Sequence, residues 1–323
     1  MYAVKGVNVV TKVVDVIEHT LTFYSSLFNK HVDIVLEQII EPAYWYITLL
    51  SREGDLVRLT TGDIIKFNTR FLGPKACLGE ALISLTHNIE ENTIYIHKTT
   101  YLCARSTSNS FCFLHRNSEY SRYLMFVYGL KEFASDVNLA LIPHMIYLLY
   151  TGSSGIKIGI ANAIKNVTRI YEQIFIFASI IDFVKDVYYA RNIEKNLSKA
   201  GVKSRATVLE RIQHIKKIES KTIEEHLKNF ITLFARQVKP ILASINMATN
   251  KKFFPVIRFS DDCLKKVKKS LIVYDVNMLN SLEGLAEVKG YYVGGLLLGI
   301  DNKDVYIPYQ LIRDRFISID FIK

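Results

Sequence analysis

The stretch IKIGIANAIKNVTRIYEQIFIFASIIDFVKDVYYARNIEKNLSKAG, residues 156–201, decides how the rest of the chain is read. From Ile158, apolar side chains recur at Ala161, Ile164, Val167, Tyr171, Ile174, Ala178, Ile181, Val184 and Tyr188. Steps of three or four place them on one face of a helix. Phe175, Phe177, Ile180 and Phe183 widen that face until little polar surface remains, which is the pattern of a buried helix. Lys185, Arg191, Lys195 and Lys199 load its C-terminal end with positive charge, as the macrodipole favours, and Gly201 is placed as its stop. Unbroken, such a helix would be about 60 Å long at ~1.5 Å per residue, so it is either kinked or the molecule is elongated.

Two capping boxes follow, Thr207–Glu210 and Thr222–Glu225, each pairing a hydroxyl with a Glu that reaches back to a free backbone N–H. The second opens a helix whose apolar residues Ile223, Leu227, Phe230, Phe234, Val238, Ile241 and Ile245 alternate by four and three. That is the seam of a helix packed on another helix, either within the chain or at a subunit interface. Pro240 marks a kink or break inside it.

Outward from this spine the texture changes. Val10, Val13, Val14, Ile17, Leu21 and Tyr24 predict an N-terminal helix ending before Pro42, although the valines at 7–10 also suit a strand. Tyr44–Leu50, Leu56–Thr60, Asp63–Phe71 and Thr93–Ala104 read as strands separated by turn-forming residues, with Ala76–Thr86 as a short helix. After Asn246 come a strand at Phe254–Phe259, a lysine-rich helix capped by Asp261 and Asp262, a helix over Met278–Val288 and a terminal meander. The expected fold is α+β: an elongated helical bundle or helical hairpin core, a small antiparallel β-domain before it, and an α+β module with a C-terminal β-meander after it. The expected segments are 1–42 packing on the bundle, 43–105 as the β-rich domain, 106–250 as the helical domain, and 251–323 as the C-terminal module.

The 323 residues carry 41 Lys+Arg against 31 Asp+Glu, and the excess is local: residues 191–269 hold 19 Lys+Arg and 7 Asp+Glu. Lys199, Lys203, Arg205, Arg211, Lys216, Lys217, Lys251, Lys252, Lys265, Lys266, Lys268 and Lys269 are the candidate polyanion contacts. Lysine predominates, which suits phosphate neutralisation more than base readout. A solvated helix face is an equal reading. The 50% hydrophobic content suggests apolar surface shared with partner chains. The bias toward Ile, Lys, Asn, Tyr and Phe fits an AT-rich coding source, whether phage, virus or bacterium.

Other classes are disfavoured. The N-terminus lacks the pattern of a signal peptide, so an intracellular or virion setting with reduced cysteines is expected. No apolar run reaches the ~18 residues of a membrane span, and an in-plane membrane association stays open. There is no phosphate-binding loop and no dinucleotide fingerprint. His87, His97, Cys103, Cys112 and His115 are zinc-type donors within a short stretch, but their spacing matches no common finger, and the cysteines read as buried small hydrophobes. No metal or cofactor is therefore expected. Asp275, Glu287 and Lys289 suggest a metal-dependent nuclease only if they lie on neighbouring strands. The leading expectation is a non-enzymatic structural or scaffolding subunit of an assembly, a virus or phage particle component in its most concrete form. The alternatives are a nucleic-acid-binding protein using the 191–269 face and the nuclease.

Overall fold

A computed structural model of the chain describes residues 1–23, 31–88, 90, 93–129, 138–152, 155–162, 168–202, 207–217, 223–245 and 253–322. Strand outweighs helix, 46% against 30%. The strands are β1 (Tyr2–Phe23), β2 (His31–Ser51), β3 (Leu56–Leu59), β4 (Ile64–Ala76), β5 (Glu80–Asn88), β6 (Thr93–Tyr101), β7 (Ser106–Thr107), β8 (His144–Tyr150), β9 (Ile156–Asn162), β10 (Phe177–Val184), β11 (Phe253–Phe259), β12 (Leu271–Ile272), β13 (Gly284–Tyr292), β14 (Gly295–Ile300), β15 (Lys303–Pro308) and β16 (Arg315–Ile322). The helices are α1 (Glu119–Val127), α2 (Asn138–Leu141), α3 (Thr168–Tyr171), α4 (Val187–Lys199), α5 (Val208–Lys217), α6 (Ile223–Leu233), α7 (Lys239–Ser244), α8 (Asp261–Lys269), α9 (Val276–Asn280) and α10 (Tyr309–Ile312).

Fourteen strands form one mixed sheet in the order β12-β15-β14-β13-β4-β16-β1-β2-β11-β10-β8-β9, with β3 added to β2 and β7 to β4. β5 and β6 form a separate hairpin. Strands from all four expected segments join the large sheet: β4 pairs with β13 and β16, and β2 pairs in parallel with β11.

The expected helical bundle is replaced by this sheet, and residues 156–201 show why. They form β9, the short α3, β10 and α4. Ile156 and Ile158 are buried, as is nearly every residue from Ile170 to Ala178. A strand covered on both faces reads as a continuous apolar run, which periodicity does not separate from a buried helix. The β-branched isoleucines tip the choice toward strand. Asp186, which sits inside the expected helix, caps α4 by accepting from the Tyr189 N–H at 2.7 Å, and Gly201 follows α4 as expected. The expected N-terminal helix is likewise the β1–β2 hairpin: Val7 and Val9 are buried while Asn8 and Val10 are exposed, a period of two.

Further corrections are local. Residues 80–88 are strand rather than helix, and the expected 278–288 helix ends at Asn280 before β13 begins. Ser260, rather than Asp261 or Asp262, caps α8. The Thr207–Glu210 box forms as read, with the Glu210 N–H donating to Thr207 Oγ1 and the Thr207 N–H to Glu210 Oε2; Thr222 lies outside the described residues. The seam residues Leu227, Phe230 and Val238 are buried; α7 packs on helix α4, as a helix seam implies, while Phe230 meets the sheet. Phe230 stacks on Phe177 of β10 at 6.2 Å and lies 5.5 Å from Tyr150 of β8. Ile223, Phe234, Ile241 and Ile245 pack partly buried on the same core. A π turn at Phe234–Val238 precedes Pro240, which starts α7. The elongated helices that supported a scaffolding subunit or virion component do not form among the described residues, and a predominantly β-sheet protein does not sustain that reading.

A second, smaller core joins α1, α2 and three cysteines to the main sheet. His144, fully buried at the start of β8, makes the junction: its Nδ1 is 2.8 Å from the Ile142 carbonyl and its Nε2 2.7 Å from the Tyr123 hydroxyl of α1. A carbonyl only accepts, so Nδ1 carries the proton and Nε2 accepts from Tyr123. Burial lowers the His144 pKa to about 4. The unfolded chain takes up this proton near the ordinary value of about 6.5, the folded chain only near 4, so stability falls as pH drops through that window. The loss should reach about 3 kcal/mol at most. Tm measured from pH 7 to pH 4 should fall more steeply for the wild type than for His144→Gln; parallel slopes would contradict the assignment.

Candidate metal centre and cationic sites

Cys77, Cys103, Cys112 and His115 converge, their ligand atoms all within 4.8 Å of one another. Three pieces of chain bring them together. Cys77 follows β4, Cys103 lies just past the end of β6, and Cys112 and His115 sit in the turn before α1. The β5–β6 hairpin spans the interval between the first two ligands. It closes tightly at Gly79 (φ +76°), where a Cβ would stand 2.2 Å from the Tyr101 carbonyl oxygen, so a side chain there would break the approach. The turn is held by the Arg116 N–H donating to the Cys112 carbonyl at 2.9 Å and the Leu78 N–H donating to the Ser110 carbonyl at 3.0 Å.

The geometry fits a tetrahedral zinc ion. Bonds of about 2.3 Å to sulfur and 2.0–2.1 Å to nitrogen imply S···N edges of about 3.6 Å. The Nδ1 of His115 lies 3.5 Å from Cys77 Sγ and 3.4 Å from Cys112 Sγ. Three buried sulfurs and an imidazole are a soft donor set of the structural zinc type, and no fifth donor joins the group among the described residues. The surroundings stabilise thiolate. The backbone N–H groups of Gly79 and Cys112 point at Cys77 Sγ at 3.4 and 3.3 Å. Lys5 Nζ donates to the carbonyls of Cys77 and Cys103, placing a positive charge beside a centre that would carry a net charge of about −1 with zinc bound. Burial raises the Cys77 thiol to about 11. Burial also works against ionising Cys112, but donors from the His115 and Leu114 backbone and from Cys77 outweigh it and hold that thiol at about 6.

Beside the centre lies a cleft of about 1050 Å³. Arg52, Lys75, Arg105 and Arg116 line it together with the polar loop Ser106–Ser110, and among the described residues no carboxylate lines it. Its wall is the chain between ligands Cys103 and Cys112, so the metal-binding residues and the cleft share one loop.

A second cationic group involves β9, α3, α5 and Arg313. Lys157 of β9, Arg169 of α3, Arg211 of α5 and Arg313 lie near one another, with Glu172 beside Arg169 and Arg313. Arg169 pairs with Glu172, which Arg313 reaches at 3.8 Å. Lys157 Nζ donates to Gln173 Oε1 at 2.6 Å, and Gln173 Nε2 donates to the Tyr147 hydroxyl at 2.8 Å. Gly159 makes room for this tyrosine, since a Cβ there would meet the Tyr147 ring at 2.3 Å. Burial, then repulsion from Arg211 and Arg169, lowers the Lys157 pKa to about 7.

The residues singled out in the sequence are distributed unevenly. Arg211 is buried rather than on a solvated face. Lys199, Lys265, Lys266 and Lys269 are exposed and Lys268 half-buried. α5, which carries Lys216 and Lys217, packs against α8, which carries Lys265–Lys269, so these two groups share one region. Part of that charge is already engaged: Lys265 faces Asp262 at 3.6 Å, and Lys266 donates to the Tyr292 hydroxyl at 3.1 Å. Lys203, Arg205, Lys251 and Lys252 lie outside the described residues. Asp275 caps α9, and Lys289 pairs with Asp304, so the trio with Glu287 is not gathered into one cluster. His87 and His97 lie on the β5–β6 hairpin, and their side chains are outside the described ones. The cysteines, expected as buried small hydrophobes, are buried, and three of them also converge with His115. Cys77 lay outside the donor group considered, and the hairpin between Cys77 and Cys103 hides their proximity from any spacing rule. The lone Cys112-x-x-His115 was the visible trace.

The family described as "Protein of unknown function (DUF2797)" matches residues 66–312, a span that contains all four metal-type ligands together with Lys157, Arg169 and Arg211, and ends one residue before Arg313. No curated protein and no solved structure matches the chain. As purified, the protein should carry about one zinc per chain by elemental analysis, as a four-donor structural site requires. Cys112→Ala should lose the metal and lower Tm by several degrees, whereas Cys263→Ala, a buried cysteine elsewhere, should keep it. Equal zinc content in both variants would contradict the site.

Proposed function

The chain belongs to the DUF2797 family, whose function is unknown, and from its own residues we propose that it is a zinc-organised nucleic-acid-binding protein. The observation that carries this reading is the cleft lined by Arg52, Lys75, Arg105 and Arg116, with no carboxylate among its described lining residues. Four cations facing one concave surface attract a polyanion and gain from release of its counterions. The metal has a structural part: it fixes the loop whose Arg105 and adjoining Ser106–Ser110 form the wall. Arginine predominates here, unlike the lysine-rich α5–α8 region, and its planar fork suits phosphate oxygens. The exposed lysines of α8 add to the general positive field.

Binding of a fluorescein-labelled 20-nucleotide RNA should weaken steeply with salt. For four phosphate contacts the slope of log K against log salt should be about −3. Arg105→Glu combined with Arg116→Glu should weaken binding at least tenfold and flatten that slope, with zinc content unchanged. Retained affinity in the double variant would overturn the assignment of the cleft.

A further inference from the structure

Between the metal-type ligands Cys112 and His115 stand Phe113 and Leu114, and both are turned outward, 66% and 56% exposed. A tight turn whose two ends are ligands has no freedom to fold these side chains back onto the core. Phe113 also lines the cationic cleft, and the Arg105 guanidinium lies over its ring, 5.2 Å from the centroid. The ring is thus braced on one face by a cation and open on the other, at the lip of a surface that collects phosphates.

Resting on the nucleic-acid reading of the cleft, we propose that its substrate is an unpaired strand, with a base stacked on the open face of Phe113 while Arg105, Arg116 and Lys75 hold the flanking phosphates. A flat aromatic face accepts any base, and stacking of this kind is tolerant of sequence. A duplex keeps its bases stacked on one another and offers only its backbone, so it engages the cations and forgoes the ring. The arrangement therefore selects single strands over double strands, and bases over bare phosphate, through one side chain. Neither the arginines nor the metal provides that selection. Leu114 extends the apolar edge of the platform next to Phe113.

The test uses the full zinc-loaded chain and three labelled probes of equal length: an unstructured uridine-rich RNA, an RNA duplex, and an abasic oligonucleotide that keeps the phosphates without the bases. Wild type should bind the single strand about 10- to 100-fold more tightly than the abasic probe, in line with the usual effect of one base–aromatic stack. Phe113→Ala should reduce single-strand affinity to that of the abasic probe, leave abasic affinity unchanged and retain its zinc. Phe113→Trp should preserve the preference. Equal binding of single strand and abasic probe by the wild type would overturn stacking while leaving the cationic cleft standing. Failure of the abasic probe and the single strand alike to bind would overturn the cleft itself. A duplex bound as tightly as the single strand, with no effect of Phe113→Ala, would place the contact on the backbone alone and sink the proposal.

Discussion

One buried ion pair sets the register of the step at which the β1–β2 hairpin joins the rest of the large sheet through β11. Glu37 of β2 and Arg258 of β11 are 2% and 7% exposed and hydrogen-bonded to each other. They clamp the parallel β2–β11 step, where Phe253–Phe259 runs beside Ile34–Ile40. Two buried charges are stable only when their remaining hydrogen-bonding capacity is met, and here it is. Arg258 also donates to Asp261 at 2.9 Å and to the Phe259 carbonyl at 3.1 Å, while Glu37 meets His19 at 2.6 Å. Breaking such a pair from one side typically costs about 3–5 kcal/mol, because the other charge stays buried. Its larger consequence is register. Sliding β11 by one residue would turn Arg258 to the opposite face and leave Glu37 among apolar side chains.

That clamp joins two functional halves. On one side of β2 the sheet runs through β1, β16 and β4 to the metal-type ligands and the arginine-lined cleft. On the other side it runs through β11 and β10 to β8 and β9, where Lys157 and its arginines gather. β8 lies inside the sheet with all seven residues buried, and His144 at its start receives the hydroxyl of Tyr123 from the metal-side core. The two cationic sites are thus built on a shared framework of apolar strands, with polar chemistry confined to loops, strand ends and one strand at the sheet's edge. Rigid strands hold the loops, and the loops carry the charges.

Part of the strand content outside the spine was readable, as at Tyr44–Leu50, Leu56–Thr60 and Asp63–Phe71, because strand-favouring runs and turn-forming residues are local signals; the β1–β2 hairpin, β5 and β13, read as helices, were not. The Thr207–Glu210 box and the stop at Gly201 were readable for the same reason. The spine was not. Around Ile174–Val184 nearly every position is buried, so polarity no longer marks a face, and the three-and-four spacing of the apolar residues was a by-product of their density. The sites were hidden differently. Cys112 and His115 are three residues apart and left a trace. Cys77 and Cys103 meet only because β5 and β6 pair and return the chain to where it left β4. Arg211 looked like a surface charge because it follows a capping box on an amphipathic helix, yet tertiary packing turns it inward beside Tyr147 and Arg169.

By itself the sequence determined the local alphabet of this protein: which segments are apolar enough to be buried, where several helices begin and end, the basic excess between Arg191 and Lys269, and the presence of zinc-type donors. The tertiary structure alone decided that the buried segments are strands of one sheet, that four distant donors form a centre, and that four cations face one cleft. The reason is physical. Burial, capping and charge are properties of neighbouring residues, whereas strand pairing and ligand convergence depend on backbone hydrogen bonds between segments far apart in the chain.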